Sequence, residues 1–210
     1  MMSILMAIPL QVRVITEQGL VVVATANSGR QLALLGSGNI TWLTSVMDTS
    51  NGNWPTNIGT GLGLHSLSSK IIFDAQTTGV NPTLWSYDFN NGMTTSLSTD
   101  IVIPGERTDA VINGGKIFFD CVTAAFGSEL CSSDGTIDGT VVATDLSSGV
   151  VDSDVRHISK IGNDIIFIPS ADDVGFALWS LDSSGVIQLQ FDPYQGFGNN
   201  SDSGQYGQMI

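Results

Sequence analysis

The sequence predicts an all-β, β-propeller-like fold of four blades, each a sheet of about four antiparallel strands. A short apolar strand recurs at spacings of 50, 46 and 48 residues, and a second apolar position follows eleven residues after the end of each copy. The paired positions are Val23 and Leu34, Phe73 and Leu84, Phe119 and Leu130, and Phe167 and Leu178. A period of this length, four strand signals per unit and no helical apolar period are typical of propeller blades.

Strand and turn signals divide the chain into a propeller-like domain, residues 1–192, and an extended C-terminal arm, residues 193–210. The blades are expected near residues 4–50, 58–101, 106–147 and 153–192. In the third blade, Gly-containing turns separate four predicted strands, at residues 110–112, 116–122, 129–133 and 139–146. The fourth blade repeats this order at residues 156–161, 164–168, 176–181 and 186–191. An apolar run such as 116–122 predicts a strand buried on both faces, and the alternation in 139–146 predicts an outer strand.

Composition excludes several classes of partner. Apolar residues make up 42% of the chain and charged residues 13%, which is enough for a large core. Seven basic residues face twenty acidic ones, a net charge of −13, so we expect no nucleic-acid partner. No apolar run is long enough for a transmembrane helix, and residues 1–10 lack the basic start and cleavage site of a signal peptide. We therefore interpret residues 1–10 as a strand and expect no membrane insertion.

Residues 127–140 read G-S-E-L-C-S-S-D-G-T-I-D-G-T. This segment resembles the G-S-E-L-W-x-S-D-G-T-x-x-G-T repeat of bacterial propeller-like surface and secreted proteins. The second and fourth blades keep only Leu-Trp-Ser and the Asp three residues beyond the Trp, and Cys131 replaces the Trp in the third. The resemblance implies a propeller-like fold and a non-catalytic surface role, and it brings no catalytic residues with it.

Cys121 and Cys131 are the two cysteines of the chain, on neighbouring strands of one predicted hairpin. We expect them to lie directly opposite each other, where a disulfide is sterically allowed. The alternative is a pair of reduced core thiols, because no export signal places the chain in an oxidising compartment. Two cysteines without a second pair do not predict a zinc site. The equivalent positions in the second and fourth blades are Ala75 with Trp85 and Pro169 with Trp179.

Two sets of aspartates recur with the repeat. Asp88, Asp134 and Asp182 come just before turns, so we predict that they cap those turns, with a ring of carboxylates as the alternative. Asp74 and Asp120 each follow a buried Phe and should face the other side of their strand, which makes them candidates for a polar, ligand-binding central channel. Residues 88–92 lack the ligand spacing of a calcium loop. We therefore predict no metal ligands and no cofactor. Calcium binding is the alternative, because the chain is so acidic.

The remaining candidates are loop residues. Trp54 lies in a Gly- and Asn-rich loop, where it is a candidate for stacking on a sugar or a protein partner. Residues 59–63 are Gly-rich but lack the ending of a phosphate-binding loop, so they are interpreted as a flexible loop between blades. With only Glu17, Glu106 and Glu129 as glutamates, the paired carboxylates of a glycosidase are poorly represented.

These observations favour a non-catalytic structural or adhesive module within a larger assembly, such as the tail, fibre or decoration protein of a phage virion. Its partners would be other protein subunits, contacted by Phe197, Tyr206 and Ile210 of the arm. The alternative is a carbohydrate- or calcium-binding propeller of a bacterial surface system, and a glycosidase-type propeller enzyme comes third. A virion or an extracellular surface is the favoured location.

Overall fold

The computed structural model describes residues 13–26, 29–36, 38–44, 58–59, 61–76, 81–104, 109–170 and 176–193. Over these residues the chain forms sixteen strands and no helix. The strands make four antiparallel sheets of four strands each, and every sheet is formed by four strands consecutive in the chain. This confirms the predicted all-β class with four sheets of four antiparallel strands.

Each sheet lies within the residues predicted for one blade. Sheet 1 contains β1 (Arg13–Thr16), β2 (Gly19–Ala26), β3 (Gly29–Leu35) and β4 (Ile40–Trp42). Sheet 2 contains β5 (Leu64–Leu67), β6 (Lys70–Ala75), β7 (Thr83–Asp88) and β8 (Met93–Ser96). Sheet 3 contains β9 (Ala110–Asn113), β10 (Lys116–Thr123), β11 (Gly127–Ser133) and β12 (Val141–Val142). Sheet 4 contains β13 (Arg156–Ile161), β14 (Asp164–Ile168), β15 (Leu178–Leu181) and β16 (Ile187–Phe191).

Consecutive sheets pack face to face and share three apolar cores. The core between sheets 1 and 2 includes Val23, Leu32, Ile71, Phe73 and Trp85. The core between sheets 2 and 3 includes Ile72, Leu84, Ile117, Phe119 and Cys131. The core between sheets 3 and 4 includes Phe118, Leu130, Ile165, Phe167 and Leu181. Sheets 2 and 3 are therefore covered on both faces, and each fully buried Phe contributes about 1.5–3 kcal/mol of burial free energy.

The predicted repeat positions are buried in sheets 2 and 3, whereas Leu34 and Leu178, in sheets 1 and 4, are only half-buried. Sheet 1 also departs from the predicted register. In sheet 2, Phe73 pairs with Trp85, so the next residue, Leu84, points to the opposite face. In sheet 1, Val23 pairs with Leu32, so Leu34, two residues further on, points to the same face as Val23. Val23 and Leu34 therefore both face sheet 2, and their spacing does not make them equivalent to the Phe and Leu of the other sheets.

The cysteine prediction was wrong in register. Cys131 lies opposite Phe119 and Cys121 opposite Glu129, because the hairpin closes with Thr123 paired to Gly127. The cysteines are thus diagonal neighbours on one face of the sheet, with Cα atoms 5.8 Å apart, and a disulfide joins them. Cys131 occupies the position that Trp85 and Trp179 occupy in sheets 2 and 4, opposite a Phe.

The fourth strand of sheet 3 is shorter than predicted. Residues 139–146 were expected to form it, and only Val141–Val142 pair with β11. The reason lies in Glu129, whose carboxylate accepts hydrogen bonds from Thr144 Oγ1 and from the backbone N–H groups of Leu146 and Ser147. These donors turn the chain inward over the end of the sheet, so it leaves the ladder.

We expect Gly127→Ala to destabilise the protein more than Gly114→Ala. Both glycines have a left-handed φ, +66° and +57°, which costs an alanine roughly 1–2 kcal/mol. A Cβ at Gly127 would also lie 2.7 Å from Asp152 Oδ1 and 2.9 Å from Val150 O, whereas nothing lies within 4 Å at Gly114. The additional loss in the free energy of unfolding should be about 1–3 kcal/mol, measured by denaturant titration. Equal losses in the two variants would contradict this packing.

Removal of the disulfide should lower the free energy of unfolding by about 2–3 kcal/mol, since its cysteines are 10 residues apart and the bond restricts the unfolded chain. The measurement is denaturant unfolding with and without reductant. The double variant Cys121→Ala, Cys131→Ala should show at least this loss, because it also removes two buried sulfur atoms from the core, and no response to reductant. Two titratable thiols in the unreduced, unfolded wild-type chain would show that the bond does not form.

Candidate functional site

The segment 133–140, which contains the S-D-G-T-x-x-G-T part of the motif, is held by its own side chains. Ser133 Oγ and Thr140 Oγ1 are 2.7 Å apart, and Gly135 N–H donates to Ser133 Oγ. Lys70 of sheet 2 donates from Nζ to Gly135 O at 2.7 Å. The motif therefore builds a rigid loop between β11 and β12 and fastens sheet 3 to sheet 2.

The recurrent aspartates cap turns, as predicted. The carboxylate oxygens of Asp88, Asp134 and Asp182 each accept the backbone N–H two residues ahead, at 2.9, 2.9 and 2.8 Å. Hydrogen bonds from Thr136 hold the pKa of Asp134 below its ordinary value, and those from Ser184 and Val186 do the same for the pKa of Asp182. These acids serve their own turns, which disfavours the alternative of a carboxylate ring.

Asp74 does not line a channel. Its side chain is fully buried, and its two oxygens accept the N–H groups of Gly61 and Gly63 at 2.9 and 3.0 Å. Asp74 thus holds the backbone at Gly61 and Gly63, while the expected flexibility of residues 59–63 stays a prediction. Next to this loop, burial lowers the pKa of His65, although a hydrogen-bond contact with Leu62 O opposes the shift.

Asp120 is the sequence-predicted residue with the most perturbed surroundings. It is half-buried on the face of β10 that looks toward sheet 4, and Ser128 Oγ donates to its Oδ1 at 3.1 Å. Burial raises the pKa of Asp120 to about 7, and the negative charge of Asp154 adds to the rise, while the Ser128 hydrogen bond and the Arg156 guanidinium oppose it. We call Asp120, Ser128, Asp154 and Arg156 the Asp120 cluster.

The backbone beside the Asp120 cluster is strained. Asp154 and His157 have φ values of +45° and +54°, in a region that non-glycine residues rarely occupy. Contacts with sheet 3 hold this segment: Asp152 Oδ1 accepts Ser128 N–H at 2.7 Å, and Asp109 Oδ2 accepts His157 N–H at 3.1 Å. The carboxyl of Asp120 can therefore take up or release a proton near neutral pH, and it does so beside the strained backbone of Asp154 and His157.

Glu129 was not singled out as a site residue from the sequence. It is fully buried and accepts hydrogen bonds from Thr144, Leu146, Ser147 and Ser153. Burial raises its pKa even though these donors favour the charged form. The available signal was a single charged residue in a strand of otherwise uncharged residues, since a charged side chain needs hydrogen-bond donors when it is buried.

Four predicted contact residues, Trp54, Phe197, Tyr206 and Ile210, lie outside the described residues. Within the described residues no group of three or more His, Cys, Asp or Glu side chains is placed to hold a metal ion. A search of the described part of the chain for a helix long and apolar enough to span a membrane found none.

No family model and no curated protein matches this sequence. Among solved structures, the chain is similar to the crystal structure of TolB from Acinetobacter baumannii, with a TM-score of 0.44 and 14% sequence identity. The similarity covers 79% of this chain and 38% of the TolB chain, so this chain spans well under half of that protein.

Titration of Asp120 should make the protein less stable above neutral pH. Its pKa is raised on folding to about 7, so the stability linked to its proton is present below about pH 4 and is lost as the pH rises through 7. The wild type should therefore lose more free energy of unfolding than Asp120→Asn when the pH rises from 5 to 8. The difference in this loss should be on the order of 1–3 kcal/mol. Denaturant titrations at both pH values measure this, with exposed Asp145→Asn as the control. Identical pH dependence in wild type and Asp120→Asn would contradict it.

Proposed function

We propose that this chain is a non-catalytic structural or adhesive module that binds other protein subunits of a larger assembly. The observation that carries the proposal is the outer edge of sheet 4. Strand β16, Ile187–Phe191, contains no charged residue, and its Leu189 and Phe191 are 50% and 62% exposed. Exposed, uncharged edge strands are sites where a second chain can dock.

The form of this edge favours contact through side chains. The pairing of β16 with β15 shifts between Leu178 and Trp179, which marks an irregularity in the ladder. Such a bulge interrupts the row of backbone groups that a further strand would need. Leu189 and Phe191 are then the main apolar contact groups of the edge, since removing large apolar side chains from water favours association.

The carboxylates support the non-catalytic part of the proposal. Asp74 and Glu129 are buried and hydrogen-bonded by neighbouring loops, and Asp88, Asp134 and Asp182 cap their turns. A glycosidase needs two carboxyl groups that face one open cleft. Asp74, Glu129, Asp134 and Asp182 instead hold separate parts of the fold. Asp88 shares one groove with Asp138, but its Oδ1 is occupied by hydrogen bonds from Ser69 and Asn90.

We further propose that Phe197, Tyr206 and Ile210 of the predicted arm, residues 193–210, contact the partner subunits. Fixing each residue of such an arm costs roughly 1–2 kcal/mol of backbone entropy, which a partner surface must offset. A phage virion, with its tails, fibres and decoration proteins, is the class of assembly that we propose.

Deletion of residues 194–210 should abolish self-association of the full chain, and Leu189→Lys with Phe191→Lys should weaken it strongly, because both remove apolar contact surface. Sedimentation velocity measures the assembly state and denaturant titration the stability, which should change little in either variant. Ile15→Lys is the control, since Ile15 is 81% exposed on sheet 1 at the other end of the stack. A truncated or doubly substituted chain that self-associates like the full-length chain would contradict the proposal. A full-length chain that stays monomeric would show that its partner subunits are other proteins.

A further inference from the structure

A groove of about 390 Å³ lies between sheets 2 and 3, at the end of the molecule where β7 turns into β8. One wall is the face of sheet 2 that looks toward sheet 3, and the opposite wall is the tip of the 133–140 loop. Ligand sites in proteins commonly have volumes of roughly 300–1,000 Å³, so the groove is large enough for a small molecule.

The sheet 2 wall is an ordered array of polar groups. Lys70 pairs across the strands with Asp88, and Asp88 with Met93. In the next row, Ser86 pairs with Thr95. Because directly opposite residues of antiparallel strands point to the same side, all five side chains belong to the face that lines the groove.

Several of these groups have hydrogen-bonding capacity that the described residues leave unused. Ser86 is only 3% exposed, and its hydroxyl has no hydrogen-bond partner in the described part of the chain. The Ser86 hydroxyl is not among the fully buried unpaired polar atoms of the described residues, so it opens to the groove, where a ligand hydroxyl can replace water. Lys70 Nζ gives one of its three hydrogens to Gly135 O, and Asp88 uses its Oδ1 for Ser69 and Asn90.

The opposite wall has the same mixed character. At the tip of the 133–140 loop, Ile137 is 60% exposed and Asp138 is exposed. Met93, across the groove, is also 60% exposed. The groove thus offers donors, acceptors and two apolar contacts, and its charges are one lysine and two aspartates.

We propose that this groove binds a neutral polyhydroxylated ligand, namely one or two sugar residues of a glycan. A sugar hydroxyl both donates and accepts, so it can satisfy Ser86 and Thr95 together with a neighbouring carboxylate. The C–H faces of a sugar ring suit Met93 and Ile137. A strongly charged ligand of either sign would meet a like charge within the groove. This inference goes beyond the proposed assembly role and does not depend on it.

The first experiment screens the full-length chain by saturation-transfer difference NMR. The probes are lactose, maltotriose, cellotriose, mannobiose and N,N′-diacetylchitobiose, with citrate as the anionic probe and spermidine as the cationic probe. We expect at least one neutral saccharide to bind saturably and to compete with neither charged probe. No saturable binding of any of these saccharides, or preferential binding of citrate or spermidine in the groove, would overturn the proposal.

The second experiment assigns the binding to the groove by isothermal titration calorimetry with the saccharide that binds. Ser86→Ala and Thr95→Val should each weaken binding about fivefold, the effect of one lost hydrogen bond. Thr94→Val is the matched control, because Thr94 pairs with Tyr87 and points to the other face of the same strand. Ser86→Ala should leave thermal stability unchanged, since its hydroxyl has no partner in the free protein. Equal weakening by Thr94→Val and Thr95→Val, or none by Ser86→Ala, would place the sugar elsewhere.

Discussion

Face-to-face packing of sheets that are apolar on both sides is the constraint on which this structure depends. Phe73 faces sheet 1, while Ile72 and Leu84 of the same sheet face sheet 3. Phe119 and Leu130 divide in the same way between sheets 2 and 4. A lone sheet of this kind would leave a full apolar face in water at about 25 cal/mol per Å². Sheets 2 and 3 therefore require their neighbours, and the loops that join consecutive sheets carry the polar groups that hold the stack.

The two ends of the stack are unlike. The far face of sheet 1 carries a small cluster of Val22, Ala24 and Ala33 that, in the described part of the chain, contains no residue of another sheet. Sheet 4 instead ends in β16 with its exposed Leu189 and Phe191. No apolar cluster of the described residues joins sheet 4 to sheet 1. Exposed apolar side chains occur at both ends, and those of the edge strand β16, Leu189 and Phe191 at 50% and 62%, are more exposed than Ile40 and Trp42 of the edge strand β4, at 41% and 42%.

Local signals in the sequence predicted the sheets and the turn caps, and non-local features were missed. Asp88, Asp134 and Asp182 act within their own turns, and the Phe residues of units 2 to 4 recur at a fixed place in a hairpin, so spacing alone identified both sets. The register of Cys121 and Cys131 depends on how the β10–β11 hairpin closes, which a count of residues around a loop does not fix. The role of Asp74 could be recognised only once the positions of Gly61 and Gly63 were known. The groove forms only where residues 70, 86–97 and 135–138 meet across two sheets. Such meetings follow from packing, so the sequence pattern could not indicate them.

The 133–140 loop shows how one segment can serve both stability and binding. Its Ser133, Thr136 and Thr140 are occupied by hydrogen bonds within the loop, and Gly135 O is held by Lys70. Ile137 and Asp138, at the tip, line the groove with an apolar side chain and a carboxylate. A wall that is already rigid loses little conformational entropy when a ligand docks against it. The hydrogen bonds that fasten sheet 3 to sheet 2 therefore also preorganise the groove between them, and the motif supplies one wall of the proposed binding surface through Ile137 and Asp138.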